Sequence, residues 1–415
     1  MPDELPAWRD GPLLVDLGGH QVPMMLTNTG KTNSGGYLLV VFNGAVRNRA
    51  ESSPPFYSGA GLARSYPGPV LSISDPGTHY NEVNLAWYAG LTGFETLQKE
   101  LAAFIHRLSK KHGIKPFLLG SSGGGFASLC LAWLIGEDAT ALAMNPQTDF
   151  FRYFPSPVAR YLQVCYGLPR TPEAQQDLEE RGVITNVQGL DFTKPRVLVL
   201  QNMFDAHHLA HHFRFLSASG DLQHGTTGHD HGIDWMVAPW GFGHQRVWPE
   251  HVQLVINAVH DGLTNSEVLR LLQQQFYPEG TAIEPMTRLV SEEAVETKFP
   301  MLVKSDGSTL NIGTHDFDKE DVITEEIHGW GIIRPLLAGG SLGPDLYRAL
   351  YFILHWAKWS QGNVQLPPPP SHLIQQRVEI LHWLLPLMEE TGGLMPHASS
   401  IKALLEFELS QLPKT

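Results

Sequence analysis

The stretch Phe117-Leu118-Leu119-Gly120-Ser121-Ser122-Gly123-Gly124-Gly125-Phe126-Ala127 constrains the fold of this 415-residue chain more than any other. Apolar residues of buried-strand type run into a turn of glycine and serine, and an apolar helix signal follows at once. A serine at such a strand-to-helix turn is forced into strained backbone geometry, so its neighbours two before and two after must be tiny. Here both are glycine, Gly120 and Gly124. The strain lifts the Ser122 hydroxyl clear of the sheet, and the helix start supplies N–H groups where an oxyanion would form. Ser122 rather than Ser121 is the candidate nucleophile because it alone sits midway between the glycines. Two competing readings stay open. Glycine-rich strand–helix turns also cradle phosphates, although this one lacks the lysine of G-x-x-x-x-G-K-[ST] and the spacing of G-x-G-x-x-G. A glycine turn serving structure alone is the other.

The flanking pattern predicts an α/β fold. Apolar runs at 37–42 (YLLVVF), 70–74, 116–119, 140–144 and 196–201 alternate with helix signals at 94–112, 124–135 and 246–261. Such alternation predicts a mostly parallel sheet flanked by helices. Residues 13–17 and 21–26, split by Gly18-Gly19-His20, predict an N-terminal antiparallel hairpin, and 234–240 a weaker last strand. An insertion at about 146–194 stands where a cap or lid would cover a site. Beyond 263 the pattern changes. Short β-like pieces at 301–304 and 322–327 precede helix signals at 346–359, 372–390 and 399–412, with a proline spacer at 367–370. The expected division is a catalytic domain over 1–263 and a C-terminal module, mixed then helical, over 264–415.

In this context residues 12–262 resemble the α/β-hydrolase superfamily, and the resemblance implies a Ser-His-Asp triad with an oxyanion hole. The turn Asn43-Gly44-Ala45 after the YLLVVF run matches the small loop whose last N–H completes that hole. By this match Ala45 and Gly123 are the two donors. The family more often has histidine where Asn43 stands, and a strand-ending Asn-Gly turn is the bland alternative. Asp205, just past the 196–201 strand, is the implied triad acid; its competing role is to cap the helix expected over 207–216. Asp149, in Asn145-Pro146-Gln147-Thr148-Asp149, is the reserve acid. His244, in a glycine-bracketed loop before the last helix of the core, is the implied base and completes the chain order Ser, Asp, His. His229 and His231 lie nearer to Asp205 in sequence but precede the last strand.

Nine of the 20 histidines fall between Asp205 and His251, and His207/His211 and His208/His212 have the spacing that puts imidazoles on one helix face. Without an H-E-x-x-H the expectation remains no metal and no cofactor, with a pH-sensitive patch as a further option. Trp87, Tyr88, Trp356, Trp359 and Trp383 read as packing residues of helical segments. Trp235, Trp240 and Trp248 flank the candidate base and suit either a pocket wall or the core.

The net charge of −13, without a basic stripe, disfavours nucleic acid or anionic membrane as a partner. No run approaches the about 20 apolar residues of a membrane span. The acidic start MPDELPAWRDGP does not resemble a secretory leader. Two cysteines, Cys130 and Cys165, make no disulfide framework, so a cytoplasmic location is expected. The expected activity is cleavage of a small or glycan-linked carboxylic ester through an acyl-enzyme. An acyltransferase using the same triad on a glycan or other alcohol, and a non-catalytic binding protein on a hydrolase scaffold, are the alternatives. The oligomeric state is not encoded in any feature of the sequence.

Overall fold

The computed structural model describes residues 5–31, 36–46, 49–202, 205–216, 227–238, 240, 244–276, 330, 353, 371–390 and 395–412. The chain forms two compact units, the first comprising residues 1–218, 226–240 and 246–273 and the second 219–225, 241–245 and 274–415.

The first unit is built on a nine-stranded sheet of order β1-β2-β4-β3-β5-β6-β7-β9-β8. Its strands are β1 (Gly11–Leu17), β2 (His20–Thr27), β3 (Tyr37–Phe42), β4 (Val70–Ile73), β5 (Lys115–Ser121), β6 (Thr140–Met144), β7 (Arg196–Asn202), β8 (Thr227–Asp230) and β9 (Ile233–Ala238). From β4 through β3, β5, β6 and β7 to β9 every pairing is parallel. The predicted N-terminal hairpin forms one antiparallel edge: β1 pairs with β2, and β2 with β4. The interior strands are apolar throughout because helices cover both faces of a parallel sheet. Thus β3 (YLLVVF) is buried at five of its six positions, from Leu38 to Phe42.

Five helices are labelled here in chain order: α1 (Ala60–Ser65), α2 (Leu97–Lys111), α3 (Gly123–Ile135), α4 (Pro155–Tyr161) and α5 (Pro172–Glu180). On α2 the buried residues Leu97, Leu101, Phe104, Ile105 and Leu108 recur at helical spacing. Each such side chain contributes about 1.5–3 kcal/mol through burial, and the face they form packs against α3. By contrast α3 has no polar face. All ten residues from Gly123 to Ala132 are buried, as expected of a helix that starts at the centre of a parallel sheet.

Several elements differ from the sequence reading. The strand β8 pairs antiparallel with β9 as an outer hairpin. It is short, polar (TGHD) and half exposed, so it lacks an apolar signature. Its turn, His231-Gly232, needs positive φ at both residues (50° and 79°), and a side chain on Gly232 would lie 2.4 Å from the Phe192 carbonyl carbon. The single helix expected over 207–216 instead has one α-helical turn at Ala206–His208, a π-helical stretch at Leu209–Phe213 and a 3-10 turn at Arg214–Leu216. A further helix, Asn265–Phe276, was not evident in the sequence. The Asn265 amide ties its start to the Arg196 guanidinium, the Val197 carbonyl and the Asp234 carboxylate.

In the second unit the helices Ser371–Glu390 and Met395–Gln411 pack on one another. Between them Arg377 Nη2 donates to Glu408 Oε2 at 2.8 Å, with both side chains buried and the guanidinium 5.7 Å from the Trp330 ring centre. The β-like pieces expected at 301–304 and 322–327, the proline spacer and, apart from Ile353, the helix expected over 346–359 lie outside the described residues. Among the described residues no helix is long and apolar enough to cross a membrane.

Candidate active site

Ser122 stands at the junction of β5 and α3 with φ 59° and ψ −121°, a backbone conformation that costs a non-glycine residue about 1–3 kcal/mol. Its surroundings over-determine that geometry. The Ser122 N–H donates to the Met144 carbonyl at 3.0 Å, and its own carbonyl accepts from Phe126 N (3.1 Å) and Gln147 N (3.2 Å). Close approach explains the glycines. A Cβ on Gly120 would lie 2.0 Å from the Gly124 carbonyl oxygen, and one on Gly124 would lie 2.7 Å from that of Phe42.

The loop leaving β3 lies directly on this elbow. A Cβ on Gly44 would stand 3.1 Å from Ser121 O and 3.7 Å from Ser122 Cβ, so the Asn43-Gly44 turn and the start of α3 face one another. Ala45 is exposed, whereas Gly123 is buried under Leu85 and Trp87. Asn43 is held from behind the loop. Its N–H donates to the Tyr88 hydroxyl (2.8 Å) and its Nδ2 to the Phe56 carbonyl (2.5 Å), which anchors the loop from behind.

Trp87 and Tyr88 are buried as expected, but they occupy a turn, not a helix, with φ of 54° and 55°. The fully buried Asp75 holds that turn by accepting from Tyr88 N at 2.7 Å and from Gly77 N at 3.1 Å. Burial pushes the Asp75 carboxyl up to about 7, and the two N–H donors oppose this only in part. Because that value lies above the unfolded one, the folded chain binds the extra proton between about pH 4 and pH 7, and stability falls as pH rises through this window. At about 1.4 kcal/mol per pKa unit the contribution lost amounts to some 4 kcal/mol at most. Chemical denaturation at pH 4.5 and pH 7.5 should show this fall in wild type and a smaller one in Asp75→Asn. Equal slopes in the two proteins would exclude Asp75 as the source.

The triad candidates are distributed as follows. Asp205 lies beyond the carboxyl end of β7, 3% exposed, and its Oδ1 is 3.0 Å from His208 Nδ1 and 3.3 Å from the His208 N–H. It therefore caps the following turn and lies against an imidazole, that of His208. His244 is exposed and belongs to the 241–245 segment of the second unit, which the chain enters after Trp240 and leaves at Arg246. Trp240 is part of the core: its N–H donates to Asn202 Oδ1 at the end of β7, and its indole donates to His251 Nδ1. Asp149, the reserve acid, is committed to structure. Its Oδ1 caps Phe151 N at 2.9 Å, its Oδ2 is 3.7 Å from Arg152 Nε, and its backbone bridges to Asn186. Burial, opposed by these partners, raises its carboxyl above the ordinary range.

The histidine pairs do face each other, with ring centres 4.7 Å apart for His207/His211 and 5.0 Å for His208/His212. Their rings pack as aromatic groups. His207 stacks on Phe154 at 4.2 Å, and Tyr153 lies within 6.3 Å of the His207, His208 and His212 rings. Burial, then the neighbouring imidazoles, drives His212 far below the usual histidine range, and its Nδ1 accepts from Thr148 N at 3.3 Å. His212 is thus a neutral structural group. Tyr153 spans the distance from this cluster to the elbow: burial and then the Asp205 charge push its hydroxyl up to about 12, while the Gln147 side chain opposes the rise by hydrogen bonding.

Gln147 is the residue that sequence reasoning did not single out. Its Nε2 donates to Ser122 Oγ at 3.0 Å, and its Oε1 accepts from Trp87 Nε1. A cavity of about 690 Å³ is lined by Arg49, Ser52, Asn81, Asn84, Ser156 and Arg160, among others. Its Asn84 wall reaches the loop after β3, where Val46 N donates to Asn84 O at 2.8 Å.

A mostly parallel sheet of this order, with a strained serine at the β5–α3 turn, defines the fold as α/β-hydrolase. Solved structures similar to the chain include the capsule O-acetyltransferase of Neisseria meningitidis serogroup A, at 12% identity over 58% of this chain and 91% of that one, with a TM-score of 0.41. Others are prolyl oligopeptidase B from Galerina marginata (18% identity, 50% and 31% covered, TM-score 0.36) and a lipase/esterase from Lactobacillus plantarum (13%, 62% and 99%, TM-score 0.38). No family model and no curated protein matches the chain.

Proposed function

We propose that the protein is a serine hydrolase that cleaves a carboxylic ester through an acyl-enzyme. The observation that carries this reading is the Ser122 backbone at φ 59° and ψ −121°, a strained serine at the end of a central parallel strand and the start of a helix, the geometry of a nucleophile elbow. The base takes the Ser122 proton, Oγ attacks the carbonyl carbon, and the N–H groups of Gly123 and Ala45 hold the oxyanion. The protonated base then gives its proton to the departing alcohol, and water, deprotonated in turn, releases the acid. His244 is assigned as the base, oriented by Asp205, because these residues follow β9 and β7 as the chain order Ser, Asp, His requires. His208 is the rival, since it already holds Asp205.

A fluorophosphonate probe tests the core of the reading: wild type is labelled and Ser122→Ala is not. Folded wild-type protein that resists the probe would point to a non-catalytic binding scaffold. With 4-nitrophenyl acetate, His244→Ala is expected to lose about 10³–10⁴ in kcat, and His208→Ala far less. The reverse order would transfer the role of base to His208.

The polar cavity beside the 43–46 loop favours a second reading, transfer of the acyl group to a hydroxyl-rich acceptor such as a glycan. Product analysis with and without oligosaccharide acceptors separates the two. A cytoplasmic location fits Cys130 and Cys165, both buried free thiols. The reading includes no nucleic-acid partner.

A further inference from the structure

We propose that Gln147 is a catalytic residue whose side-chain N–H stabilises Ser122 Oγ as the leaving group of deacylation. The proposal rests on Ser122 being the nucleophile and adds a role for a residue outside the triad and the oxyanion hole.

The orientation of the Gln147 amide is fixed by chemistry. An indole N–H can only donate, so the Gln147 atom facing Trp87 Nε1 must be the carbonyl oxygen. The atom 3.0 Å from Ser122 Oγ is then the NH₂ nitrogen, and Oγ is the acceptor in that bond. Gln147 is clamped a second time, because its backbone N–H donates to the Ser122 carbonyl at 3.2 Å. The Trp87 ring is itself held between Phe150, at 5.0 Å, and Tyr161, at 5.4 Å. Gln147 and Trp87 have no exposed surface at all. An amide bound this firmly at Oγ, away from bulk water, is preorganised at a reacting atom.

What it does differs between the two half-reactions. In the free enzyme the N–H meets a neutral hydroxyl, which keeps its own proton for the base. In the acyl-enzyme Oγ is an ester oxygen, a poor acceptor. Water then attacks the acyl carbon, losing its proton to the base and forming the tetrahedral intermediate. As the C–Oγ bond breaks, its electron pair passes to Oγ, which regains a proton from the protonated base. Negative charge therefore develops on Oγ while the bond to Gln147 strengthens, and a bond stronger in the transition state than in the ground state accelerates the step.

The test is pre-steady-state kinetics of wild type, Gln147→Glu and Gln147→Met with 4-nitrophenyl acetate. Gln147→Glu keeps an acceptor for Trp87 and removes the N–H; Gln147→Met removes both, so the pair separates lost catalysis from lost packing. Thermal unfolding verifies that each variant is folded. For an acyl-enzyme path kcat follows deacylation when that step is slow, whereas kcat/KM reports acylation. The expected result is a fall in kcat of about 10- to 100-fold with a much smaller fall in kcat/KM. KM drops in parallel, and the nitrophenolate burst grows towards one equivalent per active site. Parallel loss of kcat and kcat/KM without a burst in the folded Gln147→Glu protein, or kinetics like wild type, would overturn the role. Failure of the serine reading looks different, because wild type itself would then give neither turnover nor fluorophosphonate labelling.

Discussion

Ser122→Ala is expected to lower esterase turnover by at least about 10³-fold while the protein stays folded, and Ser122→Gly to lose as much activity yet melt at a higher temperature than Ser122→Ala. The activity loss follows from the covalent route. Without Oγ only the oxyanion donors and substrate binding remain, and those alone leave about 10³–10⁴ over water. The stability order follows from two opposed terms at one residue. Both variants delete the oxygen that receives Gln147 Nε2, and a buried donor left unpaired costs about 1–3 kcal/mol. Alanine still carries a Cβ at φ 59°, so it loses the bond and keeps the strain. Glycine sheds about 1–3 kcal/mol of that strain, which offsets the lost bond. Thermal unfolding of the three proteins decides the matter. If Ser122→Gly melts below Ser122→Ala, the backbone at Ser122 is not strained and the structural basis of the elbow fails.

The elements that position Ser122 were legible in the sequence because their signal is apolar and continuous. The runs at 37–42 and 140–144 coincide with β3 and β6, and the hairpin and β5–α3 turn also stand where the pattern placed them. Glycine spacing read as close approach is likewise real: Gly120 and Gly124 each abut backbone that would not admit a side chain without movement. What escaped the reading is polar and long-range. Gln147 lies 25 residues from Ser122, and no local periodicity marks a lone glutamine in a loop. One signal was available, since a segment leaving the carboxyl end of β6 must emerge beside the carboxyl end of β5. Trp87 and Tyr88 were seen as buried aromatics, but their turn depends on Asp75, a partner 13 residues before Tyr88. The 206–216 segment has helical spacing, yet packing of its imidazoles against Tyr153 and Phe154 accompanies a π-helical stretch that local propensity does not encode.

Gly120→Ala is expected to cost about 4 kcal/mol or more, lowering the melting temperature by about 10 °C, at the scale of 2–4 °C per kcal/mol for a unit of this size. Its Cβ would lie 2.0 Å from the Gly124 carbonyl oxygen, 2.3 Å from its carbonyl carbon and 2.9 Å from Gly125 N. All three are backbone atoms of the first turn of α3, so no side chain can swing aside. Relief requires α3 to move away from β5, and α3 is buried on every side over its first ten residues. Overpacking commonly costs about 1–3 kcal/mol where neighbours can adjust; here the neighbour is a helix set in the core, and the cost is correspondingly higher. Gly61→Ala is the control within the same experiment. Gly61 lies in α1, nothing stands within 4 Å of its would-be Cβ, and alanine in a helix gains up to about 1 kcal/mol over glycine. The two substitutions are chemically identical and opposite in expected sign. Where Gly120→Ala still folds, displacement of the elbow by about 1 Å would cost about 10²-fold in kcat, whereas Gly61→Ala keeps full turnover. A Gly120→Ala protein that melts within about 2 °C of wild type, a shift worth only about 1 kcal/mol, would show that the β5–α3 turn is looser than its packing requires.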